Sequence, residues 1–506
     1  MRCIANFATF RKRRLPVTDE RQQQGKCASD ECFRNSLEIG WIYEPLADCC
    51  QMHFFACPQF ASAAIVTPKS RPREPTSPSA WCCMNDHTLV GETPYWTVLQ
   101  RIGFRFLFVY LLLYITTFFG IFNRLWLETL VKWVGQKVFG VTITMIANGS
   151  GDTTYHFVEL FCLVTISAVA TIIWSFVDRR CTAYPRLQEA LHVGVRHFLA
   201  LAMITYGAAK VVPMQFGTAT PYTLTTPMGE RSPMGLLWAF MAVSPYYTSF
   251  TGTIEFVSGI LLIFRRTSLL GALIAAGALA HVLMLNLCFD VPVKLFSSHL
   301  LAMSLFVIAP DAGRLWNFFI AGRPVMPRPL MPRFQRVWLN RLVVGGKDAL
   351  ILLFAATMLT VCAMEVHRRG DFSEPQPLHG VWDVIEYEQD GQILPPLVTE
   401  ASRWKQFLII RKGATSHVAI RPMSGYADRR EAEFVEGSRS LTLKAIQDTN
   451  KPEANFTYEQ LAPDLLMLTG KINNQAIRAK LQLAPPDRFL LTTRGFHWIN
   501  ETPFNR

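Results

Sequence analysis

Seven stretches of this chain run for roughly 17 to 21 residues with few or no charges, and no other feature narrows the possible folds as much. They are 103–122, 157–177, 197–214, 247–264, 268–288, 292–310 and 348–364. A helix of about 20 mostly apolar residues crosses the hydrocarbon of a bilayer with its backbone groups paired internally. Seven such runs point to a multi-pass membrane protein and not to a large soluble core. A shorter run, GLLWAFMAVS at 235–244, stops at Pro245. It is too short to span and is expected to lie in the interface or dip into it.

The formal net charge of +12 would suggest nucleic acid in a soluble protein. Here much of the arginine flanks apolar runs. Loops 178–196, 265–267 and 311–347 hold thirteen Lys and Arg, against five in the alternate loops. This positive-inside bias excludes a nucleic-acid partner and makes the lipid bilayer the expected one. It puts the N-terminus in the cytoplasm and, with seven spans, the chain after residue 365 outside. The 506 residues leave room for further domains on either side of the spans.

Residues 1–83 differ from the rest. They hold eight of the twelve cysteines and the Pro/Ser-rich run TPKSRPREPTSPSA. No Cys-x-x-Cys occurs, so neither a thioredoxin-like site nor a zinc ribbon is indicated. No apolar signal-peptide core follows the charged start. Segment 1–90 reads as a disordered or mis-assigned N-terminal extension, with Met84 expected as the true start.

Ionisable groups are costly near hydrocarbon and mark candidate functional sites. Lys210, Glu255, His281, Asp290, Lys294 and His299, with Gln215 and Asn286, all fall at the outer side of the third to sixth runs. Thr248, Gly252, Glu255 and Gly259 share one helical face, which turns Glu255 toward a closely packed neighbour. Gly277, one turn before His281, is expected to do the same. Glu255 and His281 read as proton-handling groups and Lys210 as a contact for an anion or a quinone oxygen. Asp290, Lys294 and His299 read as a gate, Gln215 as a further substrate contact, and Arg231 with Glu230 as a lid. No metal-ligand set is indicated. Three chemistries fit: proton-linked redox beside a quinone, haem held between His281 and His299, and transport. Haem is the weaker, because the sixth run has no second histidine. The structural alternative is a Glu255 carboxylate paired with Lys210 or His281 to fix packing.

The stretch IEFVSGILLIFRRTSLLGALIAAGALAHVLML, 254–285, resembles the DoxX-like membrane proteins. Its Glu255, Gly259, Leu261 and Leu262, then Arg265, Arg266 and Thr267, then a small-residue helix, follow that pattern. The resemblance covers about residues 195–320. It implies a four-helix membrane core, a bacterial inner membrane, and a link to redox or stress handling with redox partner subunits. The chain departs from the family by three added spans and an outer domain, and no cysteine placement supports sulfur chemistry.

After residue 369 a period of two takes over. Eight candidate strands are GVWDVIEYE, WKQFLIIR, TSHVAIRP, SLTLKAI, ANFTYEQ, DLLMLTGK, QAIRAKLQL and RFLLTT. They suggest an antiparallel barrel or sandwich. Gly380-Val381-Trp382 and Arg494 are similar to the Gly-x-Trp and closing Arg of lipocalin-like barrels, which implies Arg494 stacked on Trp382. The aromatic tail with His497 and Glu501 is expected to form a ligand mouth, a contact with the membrane module, or a cover over the barrel.

The expected architecture is an α-helical membrane bundle of about seven spans with a C-terminal antiparallel β-barrel or sandwich. Its domains are 1–90, two spans with an outer loop in 91–194, the DoxX-like core in 195–320, a cytoplasmic Arg-rich loop and last span in 321–369, and a periplasmic β-rich domain in 370–506. The leading functional expectation is a quinone-linked redox or envelope-stress component. The alternative is a non-catalytic carrier or binding protein for a small apolar ligand, or a membrane scaffold.

Overall fold

The computed structural model describes residues 95–120, 124–144, 149–326, 336–413, 415–446 and 453–505. The extension 1–90, its cysteines and Met84 lie outside the described residues, as does part of the Arg-rich loop. Among the described residues, twelve α-helices and nine strands follow in order. The helices are α1 Val98–Phe118, α2 Arg124–Lys137, α3 Thr154–Val177, α4 Pro185–Val211, α5 Pro221–Thr225, α6 Pro233–Val243, α7 Pro245–Ile263, α8 Ser268–Cys288, α9 Lys294–Ile308, α10 Ala312–Phe319, α11 Val337–Arg369 and, after the strands, α12 Leu490–Thr493.

The helix ends carry local chemistry that fixes them. Thr97 and Gln100 cap each other's backbone at the start of α1. Ser232 and Ser244 cap α6 and α7, each followed by a proline in the first turn, where the missing N–H costs nothing. Gly370 ends α11 in the left-handed region, at φ +66°, a conformation that suits glycine. The apolar run at 235–244 becomes the 11-residue α6, too short to cross a bilayer.

Five helices are long and apolar enough to span: Val98–Phe118, Thr154–Val177, Ser268–Cys288, Lys294–Phe319 and Arg341–Arg369. Helices α4 and α7 are of comparable length, 27 and 19 residues. They are more polar, with Arg186, Glu189, Arg196 and Lys210 in α4 and a run of hydroxyls from Tyr246 to Thr253 in α7. The set is compatible with a multi-pass membrane protein. Helices α4, α7, α8 and α9 pack in a ring, α4 against α7, α7 against α8, α8 against α9 and α9 against α4. Around it, α1 and α11 lie against α4, α3 against α1, and α2 against α3.

Glycine lets the ring close. At Gly207 a Cβ would strike the backbone of Phe256, at Gly252 that of Lys210 and Val211, and at Gly271 that of Leu262 and Ser258. Gly277 differs from expectation. Nothing lies within 4 Å of the place its Cβ would take, because it sits on the exposed side of α8.

The strands are β1 Gly380–Gln389, β2 Gln392–Ile393, β3 Trp404–Lys412, β4 Thr415–Pro422, β5 Asp428–Val435, β6 Ser440–Ala445, β7 Ala454–Ala462, β8 Leu465–Ile472 and β9 Gln475–Leu483. All pair antiparallel, and β1 pairs β9, so eight strands close into a barrel with β2 a short extension of β1. Trp382, Tyr387, Trp404, Phe407, Leu441 and Phe456 fill the interior.

One strand was not anticipated and one expected strand fails. DRREAEFV, absent from the expected strands, is β5, with Arg430 and Ala432 buried. RFLLTT is helical, a 3₁₀ turn Pro486–Arg488 followed by α12. Pro485 and Pro486 carry no N–H and cannot extend a ladder. Arg494 does not stack on Trp382. It lies 4.0 Å over the ring of Phe504 and donates to Asn500 at 2.7 Å. The Trp382 indole N–H instead donates to the Leu378 carbonyl at 2.9 Å.

The barrel is docked on the bundle. Gly370, at the end of α11, and Gly413, after β3, are packed so tightly that a Cβ on either would enter the other's backbone. Tyr222 of α5 packs on the outer wall of the barrel at Val381, Leu408 and Ala419. Arg421 of β4 reaches Glu230 at 3.2 Å and the Thr226 hydroxyl at 3.1 Å.

Candidate functional site

Two sites emerge from the expected polar residues. In the first, Lys210 of α4 and Glu255 of α7 are buried and paired, Nζ to Oε1, at 2.5 Å. The one-face reading of α7 holds. Thr248, Gly252, Glu255 and Gly259 are all buried, and Gly252, one turn from Glu255, brings α7 up to the backbone at Lys210. Glu255 meets Lys210, not His281. His281 is exposed on α8, and among the described residues it makes no hydrogen bond or ion pair. The inward face of α8 runs through Gly271, Ala275, Leu279 and Asn286, and His281 lies two residues past Leu279, on the other side.

The remaining expected residues are separated by role. Asp290 and Lys294 form an exposed ion pair at 2.9 Å in the turn before α9. Arg231 donates to the carbonyls of Thr223 and Thr226 at the end of α5. These bonds tie the loop after α5 together, and Glu230 accepts from Arg421. Gln215 lies just beyond α4, where its Oε1 is buried with no hydrogen-bond partner among the described residues.

His299 lies in the second site. Its Nδ1 donates to the Leu295 carbonyl at 2.6 Å, so Nε2 is left to accept from the Tyr110 hydroxyl, also at 2.6 Å. Both ring nitrogens are engaged, and His281 faces away, so the two do not form a haem ligand pair. The His299 ring stacks on Tyr114 at 4.3 Å and 5° between planes.

That stack is one wall of a cavity of about 750 Å³, a size suited to a small organic ligand. It opens where α1 ends and α3 and α9 begin. Phe118, Phe119, Tyr155, Tyr206 and Phe296 add rings, and His156 and Glu159 of α3 add polar groups. Phe296 stacks on Phe118 at 5.4 Å and meets Tyr206 at 5.7 Å. The floor is anchored by Asp152, whose two oxygens accept the backbone N–H groups of Lys294 and Leu295 at 2.7 and 3.0 Å. Neither Lys210 nor Glu255 lines this space.

Of the expected residues, only His299 belongs to the cavity. Tyr114, His156, Glu159 and Tyr206 were not anticipated. Glu159 carried a signal: it is a carboxylate inside the second apolar run, as Glu255 is inside the fourth.

The chain is 32% identical over 152 residues to the uncharacterized protein YwoB of Bacillus subtilis (strain 168), a match covering 96% of that protein and 29% of this chain. The chain belongs to the family of that protein. Most of its length, however, lies outside the match to YwoB. No family model matches the chain, and no solved structure does.

Proposed function

We propose that this is a non-catalytic membrane binding protein or carrier, which takes a small, largely apolar molecule with a hydrogen-bonding head into the cavity beside His299. The observation that carries the reading is the cavity itself: about 750 Å³, lined by aromatic rings together with hydroxyl, imidazole and carboxylate groups. A few placed polar groups among apolar walls are the usual make-up of a small-molecule site. The test is binding of an environment-sensitive apolar fluorophore to the purified full chain. Thr117→Trp, which fills the cavity, should weaken binding at least tenfold. Unchanged binding in that variant sinks the proposal.

The same reading carries seven spans, a DoxX-like core in α4, α7, α8 and α9, and a barrel on the periplasmic side of a bacterial inner membrane. Parity supports the span count. If α1, α3, α8, α9 and α11 cross and α4 and α7 do not, the 212–244 loop and the barrel fall on opposite sides. The Arg421–Glu230 contact at 3.2 Å needs them on the same side, which crossings by α4 and α7 provide.

A second reading, a proton-linked component of a quinone redox system with partner subunits, is favoured by the Lys210–Glu255 pair alone. Solvent extraction of bound quinone and reduced-minus-oxidised spectra decide it. A preparation with neither quinone nor chromophore removes that reading.

A further inference from the structure

We propose that the C-terminal loop 494–500 is a lipid anchor: its rings enter the headgroup region of the bilayer and hold the barrel against it. The inference rests on the multi-pass reading and not on the cavity. The loop is built to present apolar side chains. Gly495 turns the chain in the left-handed region, at φ +69°. The Arg494 guanidinium donates to the Asn500 side chain at 2.7 Å, and the Asn500 amide donates to the His497 carbonyl at 3.2 Å. Between these ties Phe496, Trp498 and Ile499 are 76%, 91% and 78% exposed. The Phe496 and Trp498 rings meet edge to face at 4.9 Å. Apolar groups gathered in this way on a surface mark a contact with another protein or with lipid.

The fold brings the start of this tail to the level of the headgroups. Gly380 of β1 pairs with Ile409 of β3, and Trp382 with Leu483 of β9. The start of β1, Gly413 after β3 and Ala484 after β9 therefore share one end of the barrel, and Gly413 is packed there on Gly370. The charge-free run of α11 ends at Met364, and Gly370 is six residues on, about 9 Å along a helix. Headgroups fill roughly 5–8 Å beyond the hydrocarbon, so this barrel end stands over their layer. The tail leaves from it: the Ala484 N–H donates to the Val381 carbonyl at 2.8 Å. Phe489 then packs on the outer wall at Val381, Leu408 and Ala419, the patch that also takes Tyr222 of α5. The chemistry of the loop selects lipid over protein. Tryptophan is enriched at membrane interfaces, where its body is apolar and its N–H stays wet, and Arg494, His497 and Asn500 add polar groups to the same loop. The three exposed side chains offer roughly 500 Å² together, below the about 800 Å² per partner of a standard protein interface.

The test places a fluorescent label at Trp498→Cys, Phe496→Cys or Ile393→Cys, one at a time, in a background freed of native cysteines. The full chain is held in phosphatidylcholine nanodiscs. Ile393 is the control. It is 79% exposed beyond the far end of the ten-residue β1, about 30 Å along the strand from Gly380. Doxyl-labelled lipid should quench the labels at 498 and 496 at least threefold more than the label at 393. Aqueous iodide should quench them at least threefold less. Either loop variant serves if the other fails to fold. Equal quenching by iodide at all three sites, with no extra quenching by lipid, overturns the anchor. Protection from iodide without quenching by lipid would mean that a protein surface, such as a second copy, covers the rings, and it overturns the anchor as well.

Discussion

Lys210 and Glu255 show what a single buried pair does to a membrane bundle. Each charge is tolerable only because the other lies 2.5 Å away. Removing one partner strands the other, and for a buried pair this costs about 3–5 kcal/mol. Lys210→Met and Glu255→Gln should each lower the melting temperature of the detergent-solubilised protein. The double variant Lys210→Met/Glu255→Leu should recover most of the loss. If the single losses add in the double variant, the pair is not coupled. His379 makes a second case, in the barrel. Its Nδ1 accepts the Arg411 backbone N–H at 3.0 Å. Burial, helped by the Lys412 charge, pushes its pKa down from 6.5 to about 4. The folded state therefore resists a proton that the unfolded state accepts, so this contribution is complete above about pH 6.5 and is lost as pH falls toward 4. His379→Asn, which keeps an acceptor without a titrating ring, should flatten the fall in melting temperature across that window. An unchanged pH profile would remove His379 as its source. At this scale the sequence was legible where faces had contrast. Glu255 could be turned inward because glycine and threonine repeat at steps of three and four beside it. His281 was misplaced, because α8 carries small residues on several faces and the glycine one turn before it did not mark the packed side. The cavity escaped because Tyr114, Glu159 and Tyr206 come from three separate helices and share no local motif.

Elements differ in how strongly their sequence fixes them. The α4–α7 contact depends on backbone approach at Gly207 and Gly252, where an added methyl would overlap the backbone of the facing helix. Gly207→Ala and Gly252→Ala should destabilise the bundle, as overpacking of about one methyl costs roughly 1–3 kcal/mol. Gly277→Ala meets open space and should be neutral or mildly stabilising, since alanine is the better helix former by about 0.5–1 kcal/mol. Thermal melts of the three variants separate these outcomes. A large loss at Gly277 would mean that its open face is covered by something in the protein as purified. Long apolar helices were readable because length and composition alone define them. Strand β5 was not, because DRREAEFV carries five charges and its inward positions include Arg430, which is buried against Asp428 at 3.0 Å. A strand whose core face holds a paired arginine gives no apolar alternation. RFLLTT misled for the opposite reason: its alternation was suitable, but the two prolines before it had already ended the ladder.

The whole molecule is tied together by contacts between the barrel and the helices, and these contacts constrain how the chain can cross a bilayer. Gly370 against Gly413 joins the barrel to the end of α11, and Tyr222 against the barrel wall and Arg421 on Glu230 join it to the α4–α6 loop. With α4 and α7 crossing, Met228 in that loop and Tyr426 beyond β4 share one face of the membrane, and Met326 after α10 lies on the other. All three side chains are exposed. Single cysteines at these positions, in a background freed of native cysteines, should therefore react in two groups with a membrane-impermeant maleimide applied to intact cells. Met228→Cys and Tyr426→Cys should label, while Met326→Cys should label only after permeabilisation. Labelling of Tyr426→Cys without Met228→Cys would mean that α4 and α7 stay on one side of the bilayer. The docking of loop on barrel would then fail with the seven-span count, because the two rest on the same contact. Protection of both with labelling of Met326→Cys would instead keep the docking and reverse the orientation drawn from thirteen basic residues against five.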